Sequence, residues 1–589
     1  MAQQVGQLIT RISRRQFLCT TSSLLAAPAW AQAPRIAEDP IIAGYARQLP
    51  VLARNGMVAS QEAQASRIGV DILKRGGNAV DAAIATGFAL AVTLPRAGNI
   101  GGGGFMMVHL AAQKKTIAID YREMSGAAAH RNMFLDEQGR FIPAKSQANG
   151  LGVGVPGTVA GFALAHKNYG SGRFTLSDLL QPAIALARDG LIIDDDLADS
   201  LPSGMRRMGQ YPSSRAIFLK EDGTAFARGD RLVQRDLARS LEMIALQGPK
   251  AFYEGEIADL IIAAVRVHGG SLTRDDFTAY RAVERDVVRG TYRGREIASM
   301  PPPSSGGAHL IQILNILEGF PIGELGHNSA ATIHVMAEAM KLAYADRSKY
   351  LGDPDFVKVP LKGLLSKAYA AQQRQTISME HARPSAQIYP GQPQDFESDQ
   401  TTHFSVVDAQ GNAVSNTYTL NFSYGLGLVA PGTGILLNNE LDDFAARENA
   451  PNAFGLLGGD ANAPGPRKRP LSSMSPTFVF ENDGLKLVTG SPGGSRIITI
   501  VLQIILNVID HKMNVAEATE AARIHHQWYP DQLRLERGIS PDTQRLLEKL
   551  GHSLTISPVI GSTQTIERAR GQLAGASDTR QRGTAVAGY

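Results

Sequence analysis

The fold is decided by the stretch Thr401-Thr402-His403-Phe404-Ser405-Val406-Val407-Asp408, where an irregular segment gives way to a regular strand. Residues 383–400 before it are rich in proline and then in acidic side chains, a composition typical of a mobile linker. Two runs of strand-forming residues follow, 404–407 and 413–420, joined by a polar turn. The pattern therefore predicts a β-hairpin that begins close to Thr401.

A threonine at this junction gains a special chemistry if the chain is cut in front of it. Cleavage before Thr401 would free an α-amine, whose reference pKa is about 7.7–8.0, and this amine can take the proton from the residue's own hydroxyl. Such a nucleophile needs no histidine, cysteine or metal. The alternative is that Thr401 simply starts a strand, as threonine often does.

Composition excludes several classes of protein. The chain has 589 residues, 43% of them hydrophobic and 19% charged, so it can bury a large core and is not a disordered chain. Cys19 is the single cysteine, which argues against disulfides, thiolate catalysis and cysteine-zinc sites. The net charge is +4, and residues 1–31 carry three arginines and no acid, which argues against nucleic acid as the main partner. Arg467-Lys468-Arg469 is interpreted as a solvated turn.

The N-terminus has the features of an export signal. Arg14-Arg15 precede a short apolar run that ends in Ala29-Trp30-Ala31, so residues 1–31 are predicted to be a twin-arginine-type signal peptide. A cut after Ala31 fits, as does a cut after Ala33, and the mature protein is expected in the periplasm. The alternative is a membrane anchor, although the run is short and interrupted by hydroxyl residues.

Periodicity predicts helices and hairpins in both halves of the chain. The predicted helices are 60–75, 79–92 and 330–351, and the predicted hairpin turns are at 113–115 and 482–484. Ser60 and Ser329 are the expected helix N-caps. This order of elements suggests an α+β fold in which helices cover both faces of an antiparallel sandwich.

Motifs for common hydrolase and metal chemistry do not occur in the sequence. There is no G-x-S-x-G elbow and no H-E-x-x-H motif. His334 has no partner at metal-binding spacing and is interpreted as a core or surface residue. The adjacent pair His525-His526 is interpreted as structural, because sequence neighbours diverge on a helix or a strand. We therefore expect neither a metal nor a cofactor.

A set of motifs in a fixed order resembles the gamma-glutamyltransferase family, also called gamma-glutamyl transpeptidase or glutathione hydrolase. The motifs are residues 98–105, 120–123, 401–408, 438–444, 469–477 and 490–496. The resemblance extends over residues 40–589 and implies a four-layer αββα sandwich of the N-terminal-nucleophile hydrolase type. It also implies a precursor that cuts itself between Gln400 and Thr401 into a large subunit, 32–400, and a small catalytic subunit, 401–589, which remain together as a heterodimer.

The resemblance implies roles for the nucleophile and its surroundings. Thr401 Oγ would attack the γ-amide carbonyl and form a γ-glutamyl ester, and Thr419 on the paired strand would orient that hydroxyl. The backbone N–H groups of Gly493 and Gly494 would stabilise the oxyanion. Without the resemblance, the two glycines are equally well explained as a plain turn.

The resemblance also implies partners for both charges at the amino-acid end of the substrate, since a carboxylate needs donors and an ammonium needs acceptors. The implied partners are Arg122, Ser472 and Ser473 for the α-carboxylate, and Asn421, Glu440 and Asp443 for the α-ammonium. Without the resemblance, Arg122 and Glu123 would be interpreted as a surface ion pair, and Asp442-Asp443 as a helix-start cap.

At two positions of this implied site, the residue present differs from that in some related enzymes. Residues 446–459 resemble a flexible lid, in which Phe454 stands at the place of a tyrosine in related bacterial enzymes and lacks the hydroxyl for a gating hydrogen bond. Glu440 occupies a position where relatives carry either Gln or Glu, a difference that can tune amine binding or the pH profile.

The function implied is transfer of γ-glutamyl groups from glutathione and γ-glutamyl amides to water, or to amino-acid and peptide acceptors. Two alternatives remain: a cephalosporin (glutaryl-type) acylase of the same superfamily, and an uncleaved binding protein for γ-glutamyl peptides. The expected partners are γ-glutamyl compounds and the two subunits of one precursor. Nucleic acid is not expected as a partner, nor is a membrane after signal removal.

Overall fold

The computed structural model describes residues 48–393, 403–448 and 451–589. The predicted signal peptide, the predicted cut between Gln400 and Thr401, and Thr402 lie outside these residues. Among the described helices, none combines the length and the apolar character that a membrane crossing requires.

The strands form two seven-stranded sheets and three small ones. They are β1 (Val51–Ala53), β2 (Met57–Ser60), β3 (Gly103–Leu110), β4 (Lys115–Tyr121), β5 (Leu191–Ile192), β6 (Arg231–Leu232), β7 (Val283–Arg285), β8 (Val288–Tyr292), β9 (Arg295–Ser299), β10 (Phe404–Val407), β11 (Ala413–Thr419), β12 (Val429–Ala430), β13 (Ile435–Leu436), β14 (Thr477–Glu481), β15 (Gly484–Thr489), β16 (Ile524–His525), β17 (Leu533–Glu536), β18 (Leu554–Ser557), β19 (Gln564–Ala569), β20 (Gln572–Ser577) and β21 (Ala585–Gly588). Sheet I has the order β21-β2-β10-β11-β3-β4-β7, and sheet II the order β1-β20-β19-β15-β14-β9-β8. All neighbouring pairs in both sheets are antiparallel.

Helices fill the connections between these strands. They are α1 (Ala63–Lys74), α2 (Ala79–Thr93), α3 (Pro143–Gln147), α4 (Thr158–Tyr169), α5 (Leu176–Asp189), α6 (Asp195–Met208), α7 (Pro212–Phe218), α8 (Arg235–Gln247), α9 (Lys250–Tyr253), α10 (Glu256–Val267), α11 (Arg274–Ala279), α12 (Gly306–Leu317), α13 (Ile322–Leu325), α14 (Ala330–Tyr350), α15 (Leu361–Leu364), α16 (Lys367–Arg374), α17 (Ile497–Ile509), α18 (Val515–Glu520) and α19 (Pro541–Lys549). Short 3-10 segments include Glu440–Asp443 and Gly494–Arg496.

The two faces of sheet I are buried against different partners, because successive side chains on a strand point in opposite directions. On β3, Met106 and Val108 belong to a core that includes Phe88 of α2. Phe105 and Met107 belong to a second core, which includes Phe478 of sheet II. Sheet II in turn contacts α12 through β8 and β9. The expected α+β class is confirmed: the described residues form helices together with two large antiparallel sheets.

The hairpins lie where the sequence predicts them. Phe404 pairs with Asn416 in the β10–β11 hairpin. The β14–β15 turn places Asn482 and Asp483 at φ of 50° and 63°, which are the left-handed conformations that a type I′ turn requires.

One of the two expected helix caps is wrong. Ser329 caps α14 as expected, since its hydroxyl accepts the backbone N–H of Thr332. Ser60 is instead the last residue of β2, and α1 begins at Ala63. The carboxylate of Glu62 caps α1 by accepting the N–H groups of Gln64 and Ala65, so the strand extends into the segment that the pattern predicts to be helical.

The interpretation of Arg467-Lys468-Arg469 as a solvated turn is wrong for two of its three residues. Lys468 and Arg469 are only 5% and 6% exposed. The Lys468 ammonium donates to the carbonyls of Ala461 and Ala463, and Arg469 donates to the carbonyl of Arg281. Backbone carbonyls therefore replace water around these cations.

Part of the predicted linker is hydrogen-bonded to the rest of the fold. The Ser385 N–H donates to Asp531 and its hydroxyl to the carbonyl of Trp528. Further on, the Gly391 N–H donates to buried Asp346 over 2.7 Å. The linker is thus held at Ser385 by the C-terminal part of the chain and at Gly391 by α14.

Candidate active site

A cavity of about 130 Å³ lies where β11 ends. It is lined by Arg96, Ala97, Thr419, Asn421, Phe422, Ser423, Glu440, Phe454, Pro492, Gly493 and Gly494. Six of the residues that the sequence singles out therefore meet around one space: Thr419, Asn421, Glu440, Phe454, Gly493 and Gly494. Thr401, the predicted nucleophile, lies outside the described residues.

Thr419 is the last residue of β11 and is tied to the turn that follows. Its hydroxyl oxygen accepts the N–H of Asn421 over 2.9 Å. Asn421 has a φ of 73°, and its side-chain amide donates to the carbonyl of Asn439. This turn thus holds the end of the strand beside the 3-10 helix that begins at Glu440.

Gly493 and Gly494 form the start of the segment that leads into α17. Their φ values of 142° and 58° lie in the region that favours glycine. A Cβ on Gly494 would lie 2.8 Å from a ring carbon of Phe454. Among the described residues, no acceptor receives the N–H of either glycine. Two donors are thereby presented at a helix start, where an anion is favoured.

Arg122 is the centre of a buried ion-pair cluster next to this cavity. Its Nη1 lies 2.5 Å from Glu440 Oε1, and its Nη2 lies 2.7 Å from Asp443 Oδ2. A third carboxylate, that of Glu123, lies 3.8 Å from Nη1. All four side chains are at most 1% exposed. The interpretation of Arg122 and Glu123 as a surface ion pair is therefore wrong.

Three carboxylates face one guanidinium, and this imbalance shows in their pKa values. Burial raises the pKa of Glu123 to about 7 and that of Asp443 to about 6, although Arg122 opposes both shifts. Burial raises the pKa of Glu440 well above its usual value, and repulsion by Glu123 and Asp443 adds to the shift. The cluster therefore favours an additional positive charge or a proton.

Several polar atoms in and around the cluster have no hydrogen-bond partner among the described residues. They are both carboxylate oxygens of Glu123, Oε2 of Glu440 and the hydroxyl of Ser472. Ser473 is also fully buried, and its carbonyl accepts the Ser475 hydroxyl. Buried polar atoms without partners are costly, so this region is suited to a polar ligand.

Asp442 and Asp443 are not helix caps. Both lie inside the 3-10 segment that Asn439 precedes. Asp442 accepts the hydroxyl of Ser146 over 2.5 Å, whereas Asp443 faces Arg122 and accepts the side-chain amide of Asn452. The two neighbours thus point to different partners, and only Asp443 belongs to the ion-pair cluster.

Phe454 forms part of the wall of the cavity, within the segment that resembles a lid. Its ring meets that of Phe422 edge to face, with centroids 6.0 Å apart. Its carbonyl accepts the side-chain amide of Gln527. Aromatic and main-chain contacts therefore hold this residue without a side-chain hydroxyl. Residues 449–450 of the same segment lie outside the described part of the chain.

Two residues of the site were missed by reasoning from the sequence. Glu123 belongs to the motif 120–123 but receives no role from the resemblance, and without the resemblance it is interpreted as part of a surface ion pair; the structure buries it against Arg122. Phe422 packs on Phe454 and lines the cavity. The signal for Glu123 was its place beside Arg122 in a motif, whereas a lone phenylalanine after a strand carries no comparable signal.

His334 belongs to a buried cluster whose spacing would allow a metal ion. His334, Glu338 and His552 bring their ligand atoms within 4.8 Å of one another, so the statement that His334 has no partner at metal spacing is wrong. His334 Nδ1 and His552 Nε2 share a hydrogen bond of 2.8 Å. The Lys341 ammonium donates to Glu338 Oε1 over 2.7 Å. The lysine already neutralises the only carboxylate of this cluster, which disfavours a second cation there.

The pair His525-His526 matches the structural interpretation. Both rings are buried. His525 bonds Thr499 and Gln527, whereas His526 accepts the Trp528 N–H and lies 3.3 Å from Asp531. The two rings thus face separate partners.

Comparisons with known proteins agree with this geometry. A family model described as Gamma-glutamyltranspeptidase matches residues 65–588. A glutathione hydrolase proenzyme of Escherichia coli (strain K12) is 56% identical over 542 residues, which cover 92% of this chain and 93% of that protein.

Solved structures give the same result. A cephalosporin acylase from Bacillus halodurans is similar with a TM-score of 0.80 at 29% identity, over 96% of this chain and 99% of that chain. A gamma-glutamyltranspeptidase from Helicobacter pylori has 47% identity and a TM-score of 0.55, over 56% of this chain and 94% of that chain. Together with the match over most of the sequence, these similarities show that the chain belongs to the gamma-glutamyltranspeptidase family.

Proposed function

We propose that the protein is a precursor that cuts itself between Gln400 and Thr401 and then transfers γ-glutamyl groups from glutathione and γ-glutamyl amides. Water is the acceptor in hydrolysis, and amino acids or peptides are the acceptors in transpeptidation. The observation that carries the proposal is the position of Glu440, which lines the cavity and also bonds Arg122 in the buried cluster.

Thr401 is the proposed nucleophile. Its hydroxyl attacks the γ-amide carbon, and its own α-amine takes the proton and returns it to the departing amine as the C–N bond breaks. The register of the hairpin supports this role: Phe404 pairs with Asn416, and Thr401 and Thr419 stand three residues before and three residues after this pair in the sequence. The Thr419 hydroxyl can then orient the nucleophile.

Gly493 and Gly494 are the proposed oxyanion donors. Negative charge develops on the carbonyl oxygen when the tetrahedral intermediate forms, and donors that are already in position stabilise it. Both glycines line the cavity that Thr419 lines. The N–H groups lie at the start of the segment leading into α17, so the local dipole acts in the same direction.

The ion-pair cluster is the proposed site for the amino-acid end of the γ-glutamyl group. The excess of negative charge on Glu440 and Asp443 suits the α-ammonium, to which the Asn421 side-chain oxygen adds a third acceptor. Arg122 suits the α-carboxylate, with the hydroxyls of Ser472 and Ser473. Since Arg122 is already paired with two acids, binding of the zwitterion exchanges one set of buried ion pairs for another.

The acylase alternative ranks second. The similarity to a cephalosporin acylase is high in fold but is 29% in sequence, against 56% for the glutathione hydrolase proenzyme. A glutaryl group also lacks an α-amine, and the raised carboxylate pKa values favour a ligand that brings a positive charge. The geometry therefore supports a γ-glutamyl donor better than a glutaryl donor.

The proposal includes the finer organisation of the molecule. Helix α2 packs on one face of sheet I, and helix α12 contacts sheet II. This arrangement supports a four-layer αββα sandwich. The two pieces, 32–400 and 401–589, would remain together as a heterodimer. Export to the periplasm follows from the predicted signal peptide of residues 1–31.

The test uses the purified full-length product with γ-glutamyl-p-nitroanilide and glutaryl-p-nitroanilide as donors. We expect two chains on a denaturing gel, a Thr-Thr-His N-terminus on the smaller one, and faster turnover of the γ-glutamyl donor. T401A should remain a single chain without turnover, whereas T401S should keep the hydroxyl and be cleaved. Turnover by T401A would refute the nucleophile, and faster turnover of the glutaryl donor would favour the acylase.

A further inference from the structure

A second cavity, of about 590 Å³, adjoins the first. The two share Asn421, Phe422, Ser423 and Phe454 as lining residues. A ligand whose γ-glutamyl end occupies the first cavity would therefore extend past Phe422 into the second. In a γ-glutamyl transfer, this direction is where the departing amine leaves and where the next amine enters.

The end of helix α6 brings two arginines to the wall of the second cavity. Arg206 is exposed and Arg207 is half-buried. The guanidinium carbon of Arg207 lies 4.4 Å from the ring centroid of Phe422. This stacking fixes the plane of the guanidinium group beside the shared lining of the two cavities.

Arg207 keeps donors available for a ligand. Among the described residues, its one hydrogen bond runs from Nη1 to the carbonyl of Gly425, over 3.1 Å, and it takes part in no ion pair there. The carboxylate that acts on it, that of Asp442, does not reach ion-pair distance. A half-buried guanidinium in this state favours an anionic ligand, and its planar fork matches a carboxylate.

We propose that Arg207 binds the free carboxylate of the peptide that leaves or accepts the γ-glutamyl group. The inference rests on the proposed function. In the transfer step, the acceptor amine attacks the γ-glutamyl ester carbon, the C–O bond to Thr401 breaks, and the proton lost by the amine returns to Thr401 Oγ. A carboxylate held by Arg207 positions that amine on the open side of the ester.

The experiment compares two acceptors that differ only in the carboxylate: glycylglycine and glycylglycine amide, with γ-glutamyl-p-nitroanilide as donor. The readout is the ratio of the two KM values within one protein, so a general loss of activity cancels. In the wild-type protein we expect the amide to have a KM about tenfold higher, the effect of one charge-assisted contact. In R207Q the ratio should approach one.

The matched control is R215Q. Arg215 is also an arginine that donates to a backbone carbonyl, that of Gly209, but it does not line the second cavity. R215Q should keep the wild-type ratio. The proposal would be overturned if R207Q kept the wild-type KM ratio, or if the KM ratio fell equally in R207Q and R215Q.

A second measurement covers the case in which R207Q does not fold. N-acetylglycylglycine has the carboxylate but no reactive amine, so it should compete with glycylglycine in the wild-type protein, and its amide should compete about tenfold less well. Equal inhibition by the two would refute a carboxylate site. If the wild-type protein does not release p-nitroaniline from the donor at all, the proposed function itself fails, which is a different outcome.

Discussion

Arg122 Nη1 lies 2.5 Å from Glu440 Oε1, and both side chains are completely buried. A buried cation of this kind is costly unless each of its partners remains in place. The same contact joins strand β4, which ends one residue before Arg122, to the 3-10 segment that lines the cavity. We therefore expect the stability of the fold, and the substrate binding proposed for this cluster, to depend on the same ion pair.

Replacing Arg122 should affect both properties. R122M leaves buried carboxylates without a cation, and we expect it to lower the free energy of unfolding by about 3–5 kcal/mol. R122K keeps the charge but loses the fork, so it should fold better than R122M while still raising the KM for γ-glutamyl-p-nitroanilide. Urea denaturation and donor kinetics provide the two measurements. Wild-type stability in R122M would contradict the cluster as described.

The raised pKa of Glu123 predicts how stability changes with pH. Burial raises this pKa from 4.5 to about 7, so the native state binds a proton that the unfolded state releases. The corresponding stability is complete below pH 4.5 and is lost as the pH rises toward 7. Asp443, with a pKa raised to about 6, acts in the same direction.

The E123Q substitution removes the carboxyl group that titrates at position 123. We expect the decline in Tm between pH 4.5 and 7.5 to be smaller than in the wild-type protein. E221Q, at an exposed glutamate, is the control and should keep the wild-type decline. Parallel curves for E123Q and the wild-type protein would show that Glu123 does not titrate in this range.

The Thr419 hydroxyl should matter for the chemical step. T419V removes the oxygen that accepts the Asn421 N–H and that we propose orients Thr401, so kcat should fall by about 10²-fold. T419S keeps the oxygen and should retain most of the activity. The rate at which the two-chain form appears gives a second readout, and T419V with normal kcat and cleavage would exclude the role.

Gly494 should not tolerate a side chain. In G494A the new Cβ would meet Phe454 at 2.8 Å, and the residue has a φ of 58°. We expect kcat to fall by about 10²–10³-fold, since one oxyanion donor is displaced. G465A is the control, because the nearest atom to its Cβ lies at 3.8 Å. Adding F454A to G494A should recover part of the loss if the contact with the ring is its cause.

The sequence predicted best those features that depend on neighbours along the chain. The β10–β11 and β14–β15 hairpins follow from alternation and from Asn482-Asp483-Gly484, whose conformations are local. The positions of Thr419, Asn421, Glu440, Gly493 and Gly494 around one cavity followed from family motifs rather than from periodicity.

The sequence predicted poorly which charges are buried. Arg122, Glu123, Lys468 and Arg469 are all inside. Arg122 is paired with Glu440, and Arg469 donates to the carbonyl of Arg281, partners that lie far away in the sequence. Lys468 instead donates to the nearby carbonyls of Ala461 and Ala463, which the fold brings around its ammonium. Similarly, the spacing of His334 and Glu338 on one helix is visible in the sequence, but the third member, His552, lies more than two hundred residues further along. Distances of this kind are set by the packing of the fold, which local patterns do not encode.

The order of strands in sheet I has a consequence for how the protein can be made. Strands β10 and β11 lie between β2 and β3, so residues before position 400 alone would leave the edges of β2 and β3 unpaired where the missing hairpin belongs. Open edges of this kind recruit other chains and aggregate. Synthesis as one polypeptide therefore serves folding itself. If residues 32–400 and 401–589 are expressed from two separate genes, we expect insoluble material even though every residue of the fold is present.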